Sequence, residues 1–596
     1  MTEAGRGSAA AFRDWVCAGG RPTQEEWFRV LPPHRKIADA PEWHACIAVA
    51  AAAGDQIAAL WRDLLPITEP TRVSSSHWTP LPQPGCLSRN LLAAEVALAR
   101  GCYDLAITFV EHSLEQSEFA HAPPALVDEL YAVYLAAVLR SGDRERSESI
   151  IDSMVQAGRT QKLISVLVRL WNSHSFDELI WLAESVENRI ELEPHQVYDL
   201  QRIRVFAAPL ANSLSLDNLC RVSREYGEWI ERLPIPVCKP KEPSSRSRLR
   251  VGILWADVSA GISVPALTHR DRTLYECILY TNHTRPSEYW QMVGEFDAVK
   301  VISDIDVAAA ASAIVEDDLD ILVVLDNLGI PNIERVITAK PAPKIAFYGN
   351  CLMTTGLRSV DAILIPPDLI EQSTRSQFSE SIVSFDMAIM GSGYLPSTMI
   401  EPFDNIVTPP IIGTVASSFK LNRLWMERVA AILRAVPEAT VQLDVYSPRL
   451  ENGGYLLRIA EDLRISPDRL TLRLGVQFTP LAQRLAPLSL VIDTAPLGSN
   501  LTALQCLSAG VPLLTCPDER PGSRHAMTIL RAIGEESLIA TSEEDLVARA
   551  VALLTNREEL RRLRRSLPDQ VRSSGIADPF VVARVFESAL LAVLGR

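Results

Sequence analysis

The chain has 596 residues, 47% of them hydrophobic and 22% charged, which is the make-up of a soluble globular protein long enough for three domains of ordinary size. A formal net charge of −15 and a pI of about 5.3 argue against a nucleic-acid coat or a binder of anionic membranes, while leaving room for a small basic pocket. The opening MTEAGRGSAAAFRDW lacks a continuous apolar core, and the most apolar stretch, ACIAVAAAAGDQIAALW, is broken by Gly54-Asp55, so neither a secretory signal nor a transmembrane segment is read and the chain is expected to be cytoplasmic.

Residues 10–232 read as helices throughout. RNLLAAEVALARGCYDLAITFVEHSLEQ (89–116) and LVDELYAVYLAAVLRSGDRERSESIIDSMVQAG (126–158) keep apolar residues at i, i+3, i+4 and i+7. Several of these runs stop at glycine, as at Gly101 and Gly142, which predicts helical hairpins without a steady repeat period. LPIPVCKPKEPSSRSRLR (233–250) is rich in Pro, Ser and basic residues and marks the clearest boundary. Beyond it, short apolar runs alternate with helical segments. The strands expected in a first series are 250–256, 276–281, 297–303, 320–326, 344–349 and 361–366. A second series runs through 411–418, 440–446, 469–474, 489–494, 511–515 and 537–540, with helices such as 423–437 and 452–465 between. Near-continuous apolar strands are buried on both faces, so the expected fold is α/β, two doubly wound parallel sheets behind an irregular all-α N-terminal domain. The domains are placed at 1–235, 250–400 and 410–575, with a C-terminal helix at 576–596 packing back. Neither GxGxxG nor GxxxxGK[ST] occurs.

The ten cysteines form no CxxC and are read as free thiols, mostly buried; the ten histidines form no HxxxH or HExxH, so no metal site is expected. The chemistry-bearing stretch is DTAPLGSNLTALQCLSAGVPLLT, from Asp493 to Thr515. It reads as a buried strand, a turn of small polar residues, a helix and a second strand. Gly498 lets backbone approach a ligand, while Ser499, Asn500 and Thr502 offer donors at a helix N-terminus, where unpaired N–H groups and the dipole favour an anion such as a diphosphate. The same residues are ordinary helix caps, and both readings stand at this point. Ser417 stands at the end of the strand 411–418 and Lys420 just beyond it. Lys420 either neutralises phosphate charge or is a solvated lysine at a helix start, where a cation is mildly unfavourable. Arg524 and His525 open a helix after a Pro-Gly turn and either touch phosphate or cap. His269, after the first strand of the first series, is either a base or hydrogen-bond partner for an acceptor, or a surface histidine.

Taken in order, ASSFKLN, RLTLRLGVQFTPLAQRLAPLSLVIDTAPLGSNLTALQCLSAGVPLLT and GSRHAMTILRAIGEESLIA resemble the C-terminal half of the family holding O-GlcNAc transferases and bacterial cytoplasmic N-glycosyltransferases of high-molecular-weight adhesins. AKPAPKIAFYGNCLMTTGLRSVDAILIPPDLI (339–370) and FSESIVSFDMAIMGSGYLPS (378–397) extend the resemblance over roughly residues 250–565. It implies a glycosyltransferase of the two-domain B architecture, with the acceptor on the first α/β domain and the nucleotide-sugar on the second. Such an enzyme inverts the anomeric centre, needs no metal or other cofactor, and moves a sugar from a UDP-sugar (a UDP-hexose or UDP-N-acetylhexosamine) to Asn or Ser/Thr side chains of a protein such as a surface adhesin or flagellin. Lys420 then matches the lysine on the diphosphate, Ser499, Asn500 and Thr502 the diphosphate turn, Arg484 the nucleobase region and His269 the acceptor-side histidine. Two positions depart from the pattern: Gln505 stands where an aspartate accepts from the ribose, and a second histidine is replaced near Ile262. A glutamine bonds a hydroxyl without charge assistance. The alternative is therefore a catalytically inactive relative that binds partner proteins.

Overall fold

The computed structural model describes residues 16, 47–48, 50–51, 56–62, 71–73, 81, 86–235, 238–240, 246–255, 267, 269–282, 296–302, 306–326, 328–330, 333–348, 352–385, 403, 407–445, 450–476 and 479–596. The position near Ile262 lies outside them.

In chain order, a short helix α1 (Gln56–Arg62) and strand β1 (Thr71–Val73) precede the hairpins α2 (Leu87–Ala99), α3 (Tyr103–Leu114), α4 (Pro124–Ser141), α5 (Arg144–Gln156), α6 (Thr160–Asn172) and α7 (Phe176–Glu187). Gly101 and Gly142 take positive φ of 75° and 86° where α2 and α4 end, as their sequence positions predict. α4 is the hub: every residue from Ala132 to Leu139 is buried, so it is apolar all round rather than along one stripe. Polar cross-links supplement the apolar packing. Arg169 on α6 reaches Glu95 on α2 and Glu129 on α4, each at 2.7 Å, and Lys162 also meets Glu129 at 2.6 Å. The presence of β1 corrects the all-helical reading of this region. β1 pairs antiparallel along the strand Leu470–Leu474, an edge strand too short to show an alternating pattern.

Two more helices, α8 (Pro194–Ala207) and α9 (Leu216–Glu231), lead into the first sheet: β2 (Leu249–Leu254), β3 (Tyr275–Thr281), β4 (Ala298–Val301), β5 (Ile321–Val324), β6 (Ile345–Tyr348), β7 (Ala362–Ile365) and β8 (Ser381–Ser384), with α10 (Val307–Glu316) and α11 (Ile333–Thr338) between strands. The order is β4-β3-β2-β5-β6-β7-β8, and every pairing is parallel. The first six strands are those predicted; β8, half-exposed and polar at both ends, carries too weak an apolar run to be read. The winding reverses between β2 and β5, which places a switch point at their carboxyl ends.

The second sheet holds β9 (Ile411–Thr414), β10 (Thr440–Val445), β11 (Leu470–Leu474), β12 (Leu490–Ile492) and β13 (Leu513–Leu514). Its order is β1-β11-β10-β9-β12-β13. The helices α12 (Arg423–Ala435), α13 (Leu450–Asp462), α14 (Leu481–Leu485), α15 (Leu501–Ser508), α16 (His525–Ala532), α17 (Glu543–Thr555), α18 (Arg557–Ser573) and α19 (Pro579–Leu594) complete the chain. Residues 537–540, expected as a strand, form a 3-10 turn and a single bridge from Ile539 to Thr515. The expected α/β class with two parallel sheets and a helical N-terminal region is what the chain adopts.

By compactness the chain divides into two units, Met1–Glu193 with Ser417–Ala430 and Thr440–Leu481, and Pro194–Ala416 with Ala431–Ala439 and Ala482–Arg596. Among the described residues no helix is long and apolar enough to cross a membrane. Of the free cysteines described, Cys220, Cys277 and Cys506 are buried and Cys86 is exposed; burial pushes the Cys277 thiol up to about 12.

Candidate functional site

β9 and β12 pair in parallel, Leu490 opposite Ile412, so the segments leaving their carboxyl ends emerge at one end of the sheet. This is the reversal of winding in the second sheet, the place where open α/β sheets bind ligands. The segment leaving β12 is the turn singled out from the sequence. Its organiser is Asp493, the residue that follows the strand, which is wholly buried. One carboxylate oxygen accepts from the N–H groups of Thr494 and Ser499, both at 2.9 Å. The other accepts from the Thr515 hydroxyl at 2.8 Å. A carboxylate taking several N–H and O–H donors holds both ends of the loop with charge-assisted bonds. Thr494 Oγ1 donates to the Leu497 carbonyl at 2.8 Å, and the Gly498 N–H donates to the Gly522 carbonyl at 2.9 Å. A Cβ on Gly498 would lie 3.0 Å from Asp493 Oδ2 and 3.1 Å from the Ser523 carbonyl, so the close approach of these strands of chain requires glycine.

The turn delivers Ser499 and Asn500 to the start of α15. Ala503 and Leu504 donate to the Asn500 carbonyl, the first bonds of the helix. The N–H groups before them have no intrahelical acceptor. The Asn500 side chain makes no capping bond to the helix. Ser499 is 1% exposed, and its hydroxyl meets no hydrogen-bond partner among the described residues. An ordinary capping turn satisfies these donors internally. Here the side chains that sequence reasoning offered as caps do not cap, and a buried hydroxyl stands without a partner beside a positive helix end. Such a hydroxyl costs about 1–3 kcal/mol unless something binds it. Thr502 and Gln505 lie half-buried on the first turns of α15.

The other predicted residues fall as follows. Ser417 precedes, and Lys420 closes, the 3-10 turn Ser418–Lys420 that follows β9. In that turn Phe419 meets the His174 ring edge-on at 6.4 Å. Arg484, on α14, is buried whole and donates from Nη2 to the Val415 carbonyl at 3.2 Å, directly after β9. Its guanidinium thus holds the end of a strand. Arg524 is bound by protein groups: Nη1 meets Glu371 at 2.6 Å and Nε donates to the Asp368 carbonyl at 2.9 Å. Beside it, burial pushes the Asp518 carboxyl up, but the hydrogen bond and charge of Arg520 outweigh that and leave it below its ordinary range. His525 opens α16 and is buried. His269 lies against α19, with its ring edge-on to Phe580 at 4.7 Å and its carbonyl accepting from Arg584 at 3.0 Å. Glu587 accepts from the Asp271 N–H at 2.7 Å, so the predicted C-terminal helix packs back onto the segment that carries His269. Sequence reasoning missed the structural roles of Asp493 and Thr515; the available signal was a lone acid ending an apolar strand immediately before a turn.

Residues 413–580 match the profile of glycosyl transferase family 41, which bears out the resemblance read from the sequence. Three relatives carry the name probable UDP-N-acetylglucosamine–peptide N-acetylglucosaminyltransferase SPINDLY. That of Solanum lycopersicum is 24% identical over 412 residues, 65% of this chain and 43% of the relative. That of Oryza sativa subsp. japonica is 26% identical over 404 residues, 63% and 42%. That of Arabidopsis thaliana is 25% identical over 410 residues, 65% and 44%. The chain thus spans about two fifths of the length of these relatives. A mutant of the Thermobaculum terrenum O-GlcNAc transferase shares the fold, with a TM-score of 0.66 and 18% identity over 85% of this chain and 97% of that one.

Proposed function

From a C-terminal region that matches glycosyl transferase family 41, we propose that this chain is a protein glycosyltransferase that moves a sugar, N-acetylglucosamine in the first instance, from a UDP-sugar to a side chain of a protein acceptor. The observation that carries the reading is the Asp493-organised turn, whose Ser499 hydroxyl is buried without a partner among the described residues at an uncapped helix N-terminus. A diphosphate supplies the acceptor oxygens that this arrangement lacks.

In the proposed reaction the acceptor oxygen or nitrogen attacks the anomeric carbon as the bond to the β-phosphate oxygen breaks, with inversion. The acceptor gives up a proton, and negative charge gathers on the departing UDP. The main-chain N–H groups of Leu501 and Thr502 and the Ser499 hydroxyl are the donors proposed for that charge, and Lys420 is assigned to it by the family resemblance alone. Removing one such donor costs about a hundredfold or more in rate. Gln505 is assigned to the ribose, Arg484 to holding the chain at the end of β9, and His269 to the acceptor. No metal takes part in this scheme. The relatives' names specify peptide acceptors; an adhesin or flagellin stays a narrower possibility within that class.

The test is transfer of radiolabelled N-acetylglucosamine from UDP to co-expressed candidate proteins. Lys420→Ala is expected to lower kcat by at least about a hundredfold with the fold retained, and EDTA is expected to leave the rate unchanged. Full activity in that variant sinks the mechanism. Gln505 favours a second reading, a non-catalytic binder. Calorimetry separates the two: UDP binding with turnover supports the enzyme, and no heat with UDP at millimolar concentration supports the binder.

A further inference from the structure

Exposed arginines on several helices of this chain meet an acid one turn away. Arg221 pairs with Glu225 at 2.8 Å and Arg423 with Glu427 at 3.1 Å. On α18, Arg562 pairs with Glu559 at 2.7 Å and Arg572 with Asp569. Three further arginines of α18 break this pattern. Arg557, Arg561 and Arg565 are exposed and make no ion pair among the described residues. Their spacing of four puts them in one file along the helix, with steps of about 6 Å. Leu560, Leu563, Leu567 and Val571 bury another side of α18, so the file stands on a packed helix.

Like charges four residues apart destabilise a helix, and a cation in the first turn, as at Arg557, opposes the helix dipole. The file therefore works against the helix that bears it, and its charge is best answered from outside. A guanidinium takes a carboxylate through two parallel N–H bonds. In an extended chain, side chains on one face recur about every 6.7 Å, close to the steps of the file. By helical geometry the exposed acids Glu558 and Asp569 border the file, which leaves it one side chain wide. A strip of that width grips a single acidic chain. A nucleic-acid duplex or an anionic membrane is broader; it also meets the bordering acids and the repulsion of a chain with net charge −15.

We propose that this face of α18 is a docking surface for an extended, acidic segment of a partner protein, gripped by Arg557, Arg561 and Arg565. The inference is independent of the nucleotide reading, and its test uses no nucleotide, so either can fail alone. Fluorescence anisotropy on the full chain follows a rhodamine-labelled, amidated peptide Glu-Ser-Glu-Ser-Glu-Ser-Glu. The expected result is binding that weakens as salt rises and is absent for the same peptide with glutamine in place of glutamate. The triple variant Arg557→Gln, Arg561→Gln, Arg565→Gln is expected to weaken it at least about tenfold, and the matching triple lysine variant less, because lysine keeps the charge and loses the fork. Removing three positive charges elsewhere, with Arg221→Gln, Arg232→Gln and Arg358→Gln, is expected to leave it unchanged; all three are exposed. Circular dichroism melts check the fold of each variant, and the lysine variant decides if the glutamine variant does not fold. Four results overturn the proposal: no binding at about 0.3 mM chain; an affinity untouched by the α18 variants; an equal loss in the variant with charges removed elsewhere; or tighter binding of oligothymidine or of vesicles of phosphatidylserine and phosphatidylcholine in equal parts.

Discussion

Ser499 separates the two meanings its turn had in the sequence. If the hydroxyl were part of a cap, removing it would weaken the fold; if it waits for a ligand, removing it relieves an unsatisfied buried group. Ser499→Ala is expected to keep or slightly raise the melting temperature while weakening UDP binding about ten- to a hundredfold, the range for a hydrogen bond to a charged partner. A lowered melting temperature with unchanged nucleotide affinity would return the residue to an ordinary structural role. Residue types at 498–502 were legible because glycine and small hydroxyl residues between a strand and a helix have few uses. The organising role of Asp493 was not, because its partners Ser499 and Thr515 come together only when the chain folds back on itself.

Helices of the N-terminal region were legible from their apolar spacing, but the ionic staple through them was not. Arg169 lies 74 residues from Glu95 and 40 from Glu129 in sequence. Arg169 and Glu95 are buried even so. Arg169→Met leaves Glu95 buried without its partner and is expected to destabilise the helical region by about 3–5 kcal/mol. Thermal unfolding followed by circular dichroism, with limited proteolysis between 86 and 193, measures it. A loss under about 1 kcal/mol would show that Glu95 is neutralised or hydrated instead. α19 teaches the same lesson. A C-terminal helix was expected at 576–596, and only the fold showed that Phe580, Arg584 and Glu587 hold the His269 segment.

For the molecule as a whole, one buried acid ties stability to pH. Glu334, on α11, is fully buried and accepts from the Gly329 N–H, with Tyr226 of α9 close by. Desolvation pushes its carboxyl up to about 7; the hydrogen bonds and the Arg202 charge oppose this without cancelling it. Because the folded value lies above the ordinary one, the folded state holds the proton more tightly. The stability this confers is complete below the ordinary carboxylate range and is lost as pH rises through about 7. Glu334→Gln keeps an acceptor for Gly329 and removes the titration. Relative to this variant, the wild type is expected to lose up to about 3 kcal/mol between pH 5 and pH 8, seen as a diverging pair of melting temperatures. Parallel pH profiles would show that Glu334 stays ionised when folded.

Apolar runs of four to six residues and helical spacings are properties of consecutive residues, and burial rewards them wherever the chain places them. They determined the fold class, the strand series of both sheets and the position of the polar turn at 498–502. Elements with weak local signals escaped: the edge strand β1 inside a helical region and the half-exposed β8 depend on neighbours for their pairing. The same holds for Asp493, Arg169 and Glu334. An ionisable side chain has no intrinsic preference for being buried, so its environment is set by residues distant in sequence. Tertiary structure alone decides which buried polar groups find partners, and the chemistry proposed for this protein rests on a hydroxyl, that of Ser499, that meets none among the described residues.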